Sequence, residues 1–157
     1  MFDFATTDLA LAIAHHLLIF LLAGVLAFEI GAIRPNMKRE DILRIASVDN
    51  WYGILALAIL VVGFSRAIYA AKAWAYYQAN GSFWAKIAAF IAVALLSVIP
   101  TIKIIRWRRA LKNDASFLPA VPDIAGVRRY LWAEVVIFAF IPAFAAAMAR
   151  GYGVLAH

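Results

Sequence analysis

Residues 9–33, LALAIAHHLLIFLLAGVLAFEIGAI, form an unbroken apolar stretch whose only ionisable side chains are His15, His16 and Glu29. A helix needs roughly 20 mostly apolar residues to cross the hydrocarbon core of a bilayer. Three further stretches meet that condition, at 51–71, 83–105 and 130–149. The sequence therefore predicts an all-α polytopic membrane protein, a four-transmembrane-helix bundle in which residues 1–157 make a single domain.

The composition supports the same class of protein, since 66% of the residues are hydrophobic and only 15% are charged. The net charge of +6 does not indicate a nucleic-acid partner, because the basic residues flank the apolar spans. They lie in the first loop (Arg34, Lys38, Arg39, Arg44) and the third (Arg108, Arg109, Lys112, Arg128, Arg129). By the positive-inside rule these loops are cytoplasmic. Both termini are then expected outside, in the periplasm, for a multi-pass protein of a bacterial inner membrane. The first span continues directly into Arg34 and is expected to be retained rather than cleaved.

The loop sequences predict further helical features. Residues 41–48 alternate charged and apolar side chains, which predicts a short amphipathic helix at the membrane interface, with Asp49 or Asn50 capping the second span. Asn80-Gly81-Ser82 is expected to form a tight turn and to supply a cap for the third span. The chain has no cysteine, so it forms neither a disulfide nor a thiolate metal site, and histidine is the candidate metal ligand.

Counting about 1.5 Å of rise per residue sorts the intramembrane polar residues into two layers. His15, His16 and Arg66 lie roughly 10 Å below the outer ends of their helices, and Lys86 about 6 Å below. The inner layer holds Glu29, Lys103, Arg106 and Glu134, for which pairing of the acids with Lys103 or Arg106 is the expected structural role.

The outer layer predicts a site for haem b. Imidazole ligates iron, and Arg66 and Lys86 could neutralise the two propionates in a low-dielectric setting. The simpler interpretation is a histidine that hydrogen-bonds between helices and cations that extend to the headgroups. His16 is slightly favoured over His15 as the metal ligand, because it shares a face with small residues that let a partner helix or a flat ring approach. Lys86 is an alternative second ligand.

Several motifs carry a family resemblance, namely His15-His16 with Glu29, Asp49-Asn50-Trp51-Tyr52-Gly53, Gly63 with Arg66, Phe83-Trp84-Ala85-Lys86, and Ser97-Val98-Ile99-Pro100-Thr101. They resemble a family of bacterial membrane proteins of unknown function that is distantly similar to copper-resistance D proteins and HemJ-type protoporphyrinogen oxidases. The HemJ resemblance implies a haem-associated histidine at His15 or His16 and a functional lysine at Lys86. Residues 17–22 lack the tryptophans of the oxidase, and without a thiolate to select Cu(I) copper transport ranks low.

These observations predict a b-type haem protein that exchanges electrons with a quinone or another redox partner. Two alternatives stay open: an enzyme like protoporphyrinogen oxidase, and a haem-free assembly, proton-relay or permeation factor. A homodimer is a further expectation, because four thin helices offer little material to enclose a macrocycle.

Overall fold

The computed structural model describes residues 4–69 and 77–154, which form four long helices. They are α1 (Phe4–Ala32), α2 (Arg39–Tyr69), α3 (Gly81–Asn113) and α4 (Val121–Ala149). Each helix is long and apolar enough to cross a membrane. Large apolar side chains such as Phe20, Leu57 and Leu95 are exposed along them, as a lipid-facing surface requires. The predicted fold class is confirmed, although residues 70–71 of the second predicted span lie outside the described part of the chain.

Short connections place sequential helices side by side. α1 packs mainly on α2 and α3 mainly on α4, and smaller contacts join α2 to α3 and α1 to α4. We call the end of the bundle that holds the loops 33–38 and 114–120 the basic end. The opposite end, where α1 and α3 begin and α2 and α4 finish, is the termini end.

The apolar core is concentrated at the basic end. Its most buried side chains there are Ile33, Ile42, Ile45, Ile104, Trp107, Leu111, Ile124, Val127 and Leu131. Among the described residues, far fewer apolar side chains are buried at the termini end; they include Ala67, Phe83 and Ile141. Because buried apolar contacts set local rigidity, the described residues of the termini end are held less tightly than those of the basic end.

The predicted interfacial helix is wrong, because residues 41–48 belong to the continuous helix α2. Ile42 and Ile45 are 0% exposed, so these side chains enter the core instead of lying on the bilayer surface. Asp49 consequently lies inside α2 and caps nothing. The cap predicted from Asn80-Gly81-Ser82 is confirmed, and Asn80 supplies it, since its side-chain oxygen accepts a hydrogen bond from the Phe83 amide at 3.2 Å.

The chain that follows α4 is tied to the start of α3. The Gly81 amide donates to the Gly153 carbonyl at 2.7 Å, and the Ser82 hydroxyl donates to the Tyr152 carbonyl at 3.1 Å. Gly153 adopts φ +86°, and a Cβ there would collide with Ser82. Glycine is therefore required at this turn, which joins α3 to α4 at the termini end.

Arg128 joins α4 to α1 at the basic end of the bundle. Its guanidinium donates to the carbonyls of Ile30, at 2.9 Å, and Ile33, which the end of α1 leaves without helical partners. We expect Arg128→Ala to lower the free energy of unfolding by about 2 kcal/mol, since hydrogen bonds from a charged donor contribute about 1.5–3 kcal/mol each. The exposed neighbour Arg129 is the control, because Arg129→Ala should change the free energy of unfolding by no more than about 0.5 kcal/mol. Titration with a denaturing detergent measures both, and equal effects would contradict the assignment.

Candidate functional site

A cavity of about 130 Å³ lies inside the bundle at the termini end, and all four helices line it. Three of its lining side chains are basic: His15 from α1, Arg66 from α2 and Lys86 from α3. Most of the wall is apolar, including Ile19, Ile59, Phe90, Phe138 and Ile141. The structure thus brings together three of the four site residues that the sequence predicts.

The two histidines point in different directions. Their ring centroids are 6.3 Å apart with planes at 83°, and only His15 lines the cavity. His16 is exposed on the outward face, where its Nδ1 donates to the Ala12 carbonyl one turn earlier, at 2.6 Å. The sequence favoured His16 as the metal ligand, but His15 is the histidine that points into the cavity. Small residues on the face of His16, such as Ala27 and Gly31, look outward and not into the bundle.

Close packing with α2 positions the His15 ring. A Cβ added to Gly63 would lie 3.1 Å from Cε1 of His15, so the absence of a side chain at Gly63 lets the imidazole rest against the backbone of α2. Nδ1 of His15 is buried and has no hydrogen-bond partner among the described residues, and the same holds for Nε of Arg66. Both side chains therefore present unused hydrogen-bonding capacity inside the bundle.

No carboxylate in the described part of the chain forms an ion pair with the cavity cations. Within residues 4–69 and 77–154 the only ion pair joins Lys103 to Asp123, at the basic end. The Lys86 amine lies 5.1 Å from the centroid of the Phe83 ring, a cation–π contact that stabilises an ammonium without neutralising it. The nearest acid along α1, Asp8, lies two turns from His15, about 10 Å, and does not line the cavity.

This arrangement suits an anionic ligand, since two cations in an apolar setting are stabilised by a bound acid. The cavity could also hold a metal, but only one that is already bound in a macrocycle. The described residues contain no group of three histidine or acidic side chains that could surround a bare ion. A single imidazole is sufficient, however, when the metal arrives in a macrocycle that supplies the other ligands.

The predicted inner layer is only partly correct. Glu29 and Glu134 are buried near the basic end as expected, at 2% and 1% exposed. Neither pairs with a cation of the described residues, because Lys103 binds Asp123 and Arg106 is exposed. The structure adds buried Asp49 and Tyr52, which were not predicted to lie in this layer. The three-residue spacing of Asp49 and Tyr52 on one helix face, opposite Glu29, was the available signal.

Fold and site together define a polytopic membrane protein with a basic cavity at one end of a four-helix bundle. The chain belongs to a family described as a predicted membrane protein family, DUF2214, which matches residues 7–153. No curated protein and no solved structure matches the chain.

Proposed function

We propose that this protein binds haem b in the termini-end cavity and takes part in redox or electron transfer, with His15 as the iron ligand. One observation carries the proposal. Three helices direct His15, Arg66 and Lys86 into one apolar cavity that no acid among the described residues neutralises. Haem matches that set, because it brings iron for an imidazole and two carboxylates for the cations.

The chemistry of the cavity fits haem, but its volume in this structure does not. Pockets that enclose organic ligands of comparable size measure about 300–1,000 Å³, whereas this cavity measures about 130 Å³. Binding therefore requires the helices to separate at the termini end, where few of the described apolar side chains are buried. When bound, the haem would supply one-electron chemistry. The protein's own contribution is to orient His15 against Gly63 and to set two positive charges beside the ligand.

The distribution of basic residues supports a topology for this site. Arg34, Lys38 and Arg39 lie at one basic-end loop, and Arg108 and Arg109 lie near the other. Positively charged loops of this length stay in the cytoplasm, so the haem cavity would open near the periplasmic face of a bacterial inner membrane. A quinone or another redox partner would then reach the site from the bilayer or the periplasm.

The outward face of α1 supports a homodimer. Gly24, Ala27 and Gly31 are exposed there, and small residues allow a second helix to approach closely. A dimer would add surface around the cavity mouths without changing the residues that line each cavity. Disulfide cross-linking through Ala27→Cys in membranes tests this part of the proposal, and the absence of cross-linked dimer would contradict it.

A second candidate function, a protoporphyrinogen-oxidising enzyme, is favoured by Lys86. This lysine lines the same cavity as His15, which matches the pair implied by the resemblance to HemJ-type enzymes. Oxidation of protoporphyrinogen by the purified protein, lost in Lys86→Ala, would support the enzyme. Haem binding without turnover would leave electron transfer.

The visible spectrum tests the proposal directly. The protein should be produced with ample haem, purified in detergent, and analysed for a Soret band and for the haem-to-protein ratio. A Soret band with a defined ratio is expected. Colourless protein would reject both haem functions and leave the assembly, proton-relay or permeation alternative.

Gly63 offers a more local prediction. We expect Gly63→Val to displace the His15 ring and to weaken haem binding about 5- to 150-fold, the equivalent of the 1–3 kcal/mol that overpacking costs. Gly53, on the same helix, is the matched control, because a Cβ there meets no atom within 4 Å. Spectroscopic titration with haem compares Gly63→Val with Gly53→Val, and equal affinities would show that contact with Gly63 does not position the ligand.

A further inference from the structure

Four buried polar side chains form a second site near the basic end, which the proposed haem function does not use. We call Glu29, Asp49, Tyr52 and Glu134 the acidic cluster. They come from α1, α2 and α4, and their exposed fractions are 2%, 7%, 4% and 1%. Counted along α1 from His15 to Glu29, the cluster lies about 21 Å from the haem cavity. It is therefore a separate feature of the bundle.

Hydrogen bonds within the cluster leave two carboxylate oxygens unsatisfied. The Tyr52 hydroxyl donates to Oε2 of Glu134 at 3.0 Å, and the Thr101 hydroxyl from α3 donates to Oδ1 of Asp49 at 2.7 Å. Oε1 of Glu29 and Oε1 of Glu134 are buried without a partner among the described residues. Glu29 makes no hydrogen bond to another described side chain, and its charged neighbours are Asp49 and Glu134.

No cation among residues 4–69 and 77–154 forms an ion pair with these acids. Lys103 pairs with Asp123, and Arg128 donates to the Ile30 and Ile33 carbonyls at the end of α1. Three ionised carboxylates in a bilayer interior repel one another and each carries a large desolvation cost. The cluster must therefore take up positive charge from outside the protein. A bare metal ion does not suit it, since the described acids form no group able to surround one.

A second cavity extends from the α2 side of the cluster toward the basic end. Its volume is about 720 Å³, ample for water, and Asp49, Tyr52 and Thr101 line it. Arg108, Arg109 and Lys112 line the same cavity further along α3, toward the loop 114–120. Water that enters beside these basic residues can reach Asp49 and Tyr52, and the Tyr52 hydroxyl is hydrogen-bonded to Glu134.

We infer that the acidic cluster is a proton-binding site that exchanges protons with the aqueous phase at the basic end through this cavity. Glu29 and Glu134 hold protons at their unpartnered oxygens, and Tyr52 orients the Glu134 carboxyl. Each proton comes from water and returns to it, so no redox partner is needed. The charged and titratable groups that face Glu29 are Asp49 and Tyr52 from α2 and Glu134 from α4. Arg128, also on α4, contacts the end of α1 that follows Glu29.

Infrared spectroscopy of the full-length protein in lipid nanodiscs at neutral pH tests this inference. A protonated carboxyl absorbs at a frequency distinct from that of a carboxylate. We expect a carboxylic-acid band that loses separate components in Glu29→Gln and Glu134→Gln, persists in potassium and in sodium buffers, and shifts on transfer to D₂O. Tyr52→Phe should move the Glu134 component to higher frequency by removing its hydrogen bond. Glu40→Gln, at an exposed site, should leave the band unchanged.

The experiment also identifies the results that would overturn the inference. Absence of the band at neutral pH would show that the acids are ionised. Disappearance of the band when sodium replaces potassium would assign the site to a metal cation. A band that does not shift in D₂O would show that the protons are sealed from solvent, and an unchanged band in both glutamine variants would assign it to other groups.

Discussion

Replacing His15 with alanine is expected to abolish the Soret band of haem-loaded protein, whereas replacing His16 should leave it intact. Among the described residues, His15 is the only histidine that lines the termini-end cavity, and Nδ1 of its ring has no partner there. His16 is exposed and donates to the backbone of its own helix. We expect haem affinity to fall more than about 100-fold in His15→Ala, beyond the 10- to 100-fold typical of changes to groups that merely support a metal ligand.

The two histidines provide a matched comparison because they are adjacent on one helix and identical in chemistry. Spectroscopic titration of each purified variant, with circular dichroism to confirm that the helices are retained, measures the difference. Loss of the band in His16→Ala alone would move the iron to the outward face of α1. Retention of the band in both variants would exclude histidine ligation at this pair.

The second large effect is expected at the cavity cations. Arg66→Gln and Lys86→Gln should each weaken haem binding by about 10-fold or more, since a hydrogen bond from a charged group contributes about 1.5–3 kcal/mol and these side chains are only partly buried. The two effects need not add, because both groups act on one ligand. Lys103→Gln is the control, as Lys103 is paired with Asp123 at the other end of the bundle.

Haem without its carboxylates distinguishes variants that lose propionate binding from variants in which the cavity itself is altered. The dimethyl ester of haem lacks the two carboxylates but keeps the iron and the ring. If Arg66 and Lys86 bind the carboxylates, both glutamine variants should bind this ester as well as the unaltered protein does. An equal loss of affinity for haem and for its ester would show that these residues shape the cavity without contacting the propionates.

The fold could be predicted from sequence because hydropathy alone defines the four spans. The layering of polar residues was also accessible, because rise per residue converts sequence position into depth in the membrane. Arg66 and Lys86 therefore fell at the level of the histidines before any packing was known. These inferences depend on distance along the helix axis, which the sequence gives directly.

Rotation about the helix axis was harder to predict. His16 was favoured because small residues on its face were expected to turn inward, yet Ala27 and Gly31 are exposed. The bulkier face of His15 is the buried one, with Leu22 and Leu26 at 1% and 2% exposed. In a bilayer both faces of a helix are apolar, so hydrophobicity does not distinguish core from lipid and side-chain size is an ambiguous guide.

Interactions between helices were also beyond the sequence. Lys103 lies at a depth that suits Glu29 or Glu134, but it pairs with Asp123, twenty residues later on the neighbouring helix. Asp49 was a candidate cap because residues 41–48 were predicted to form a separate interfacial helix, whereas α2 runs on through that region as one helix. Which acids remain without a cation depends on these cross-helix distances, so the acidic cluster emerged only from the structure.

An experimental density map of haem-supplemented protein in nanodiscs tests the central claim most directly. The claim predicts a flat macrocycle at the termini end, with its iron joined to the His15 ring, its carboxylates beside Arg66 and Lys86, and a cavity enlarged well beyond 130 Å³. A map in which lipid and packed side chains alone fill that end of the bundle, despite ample haem, would contradict it.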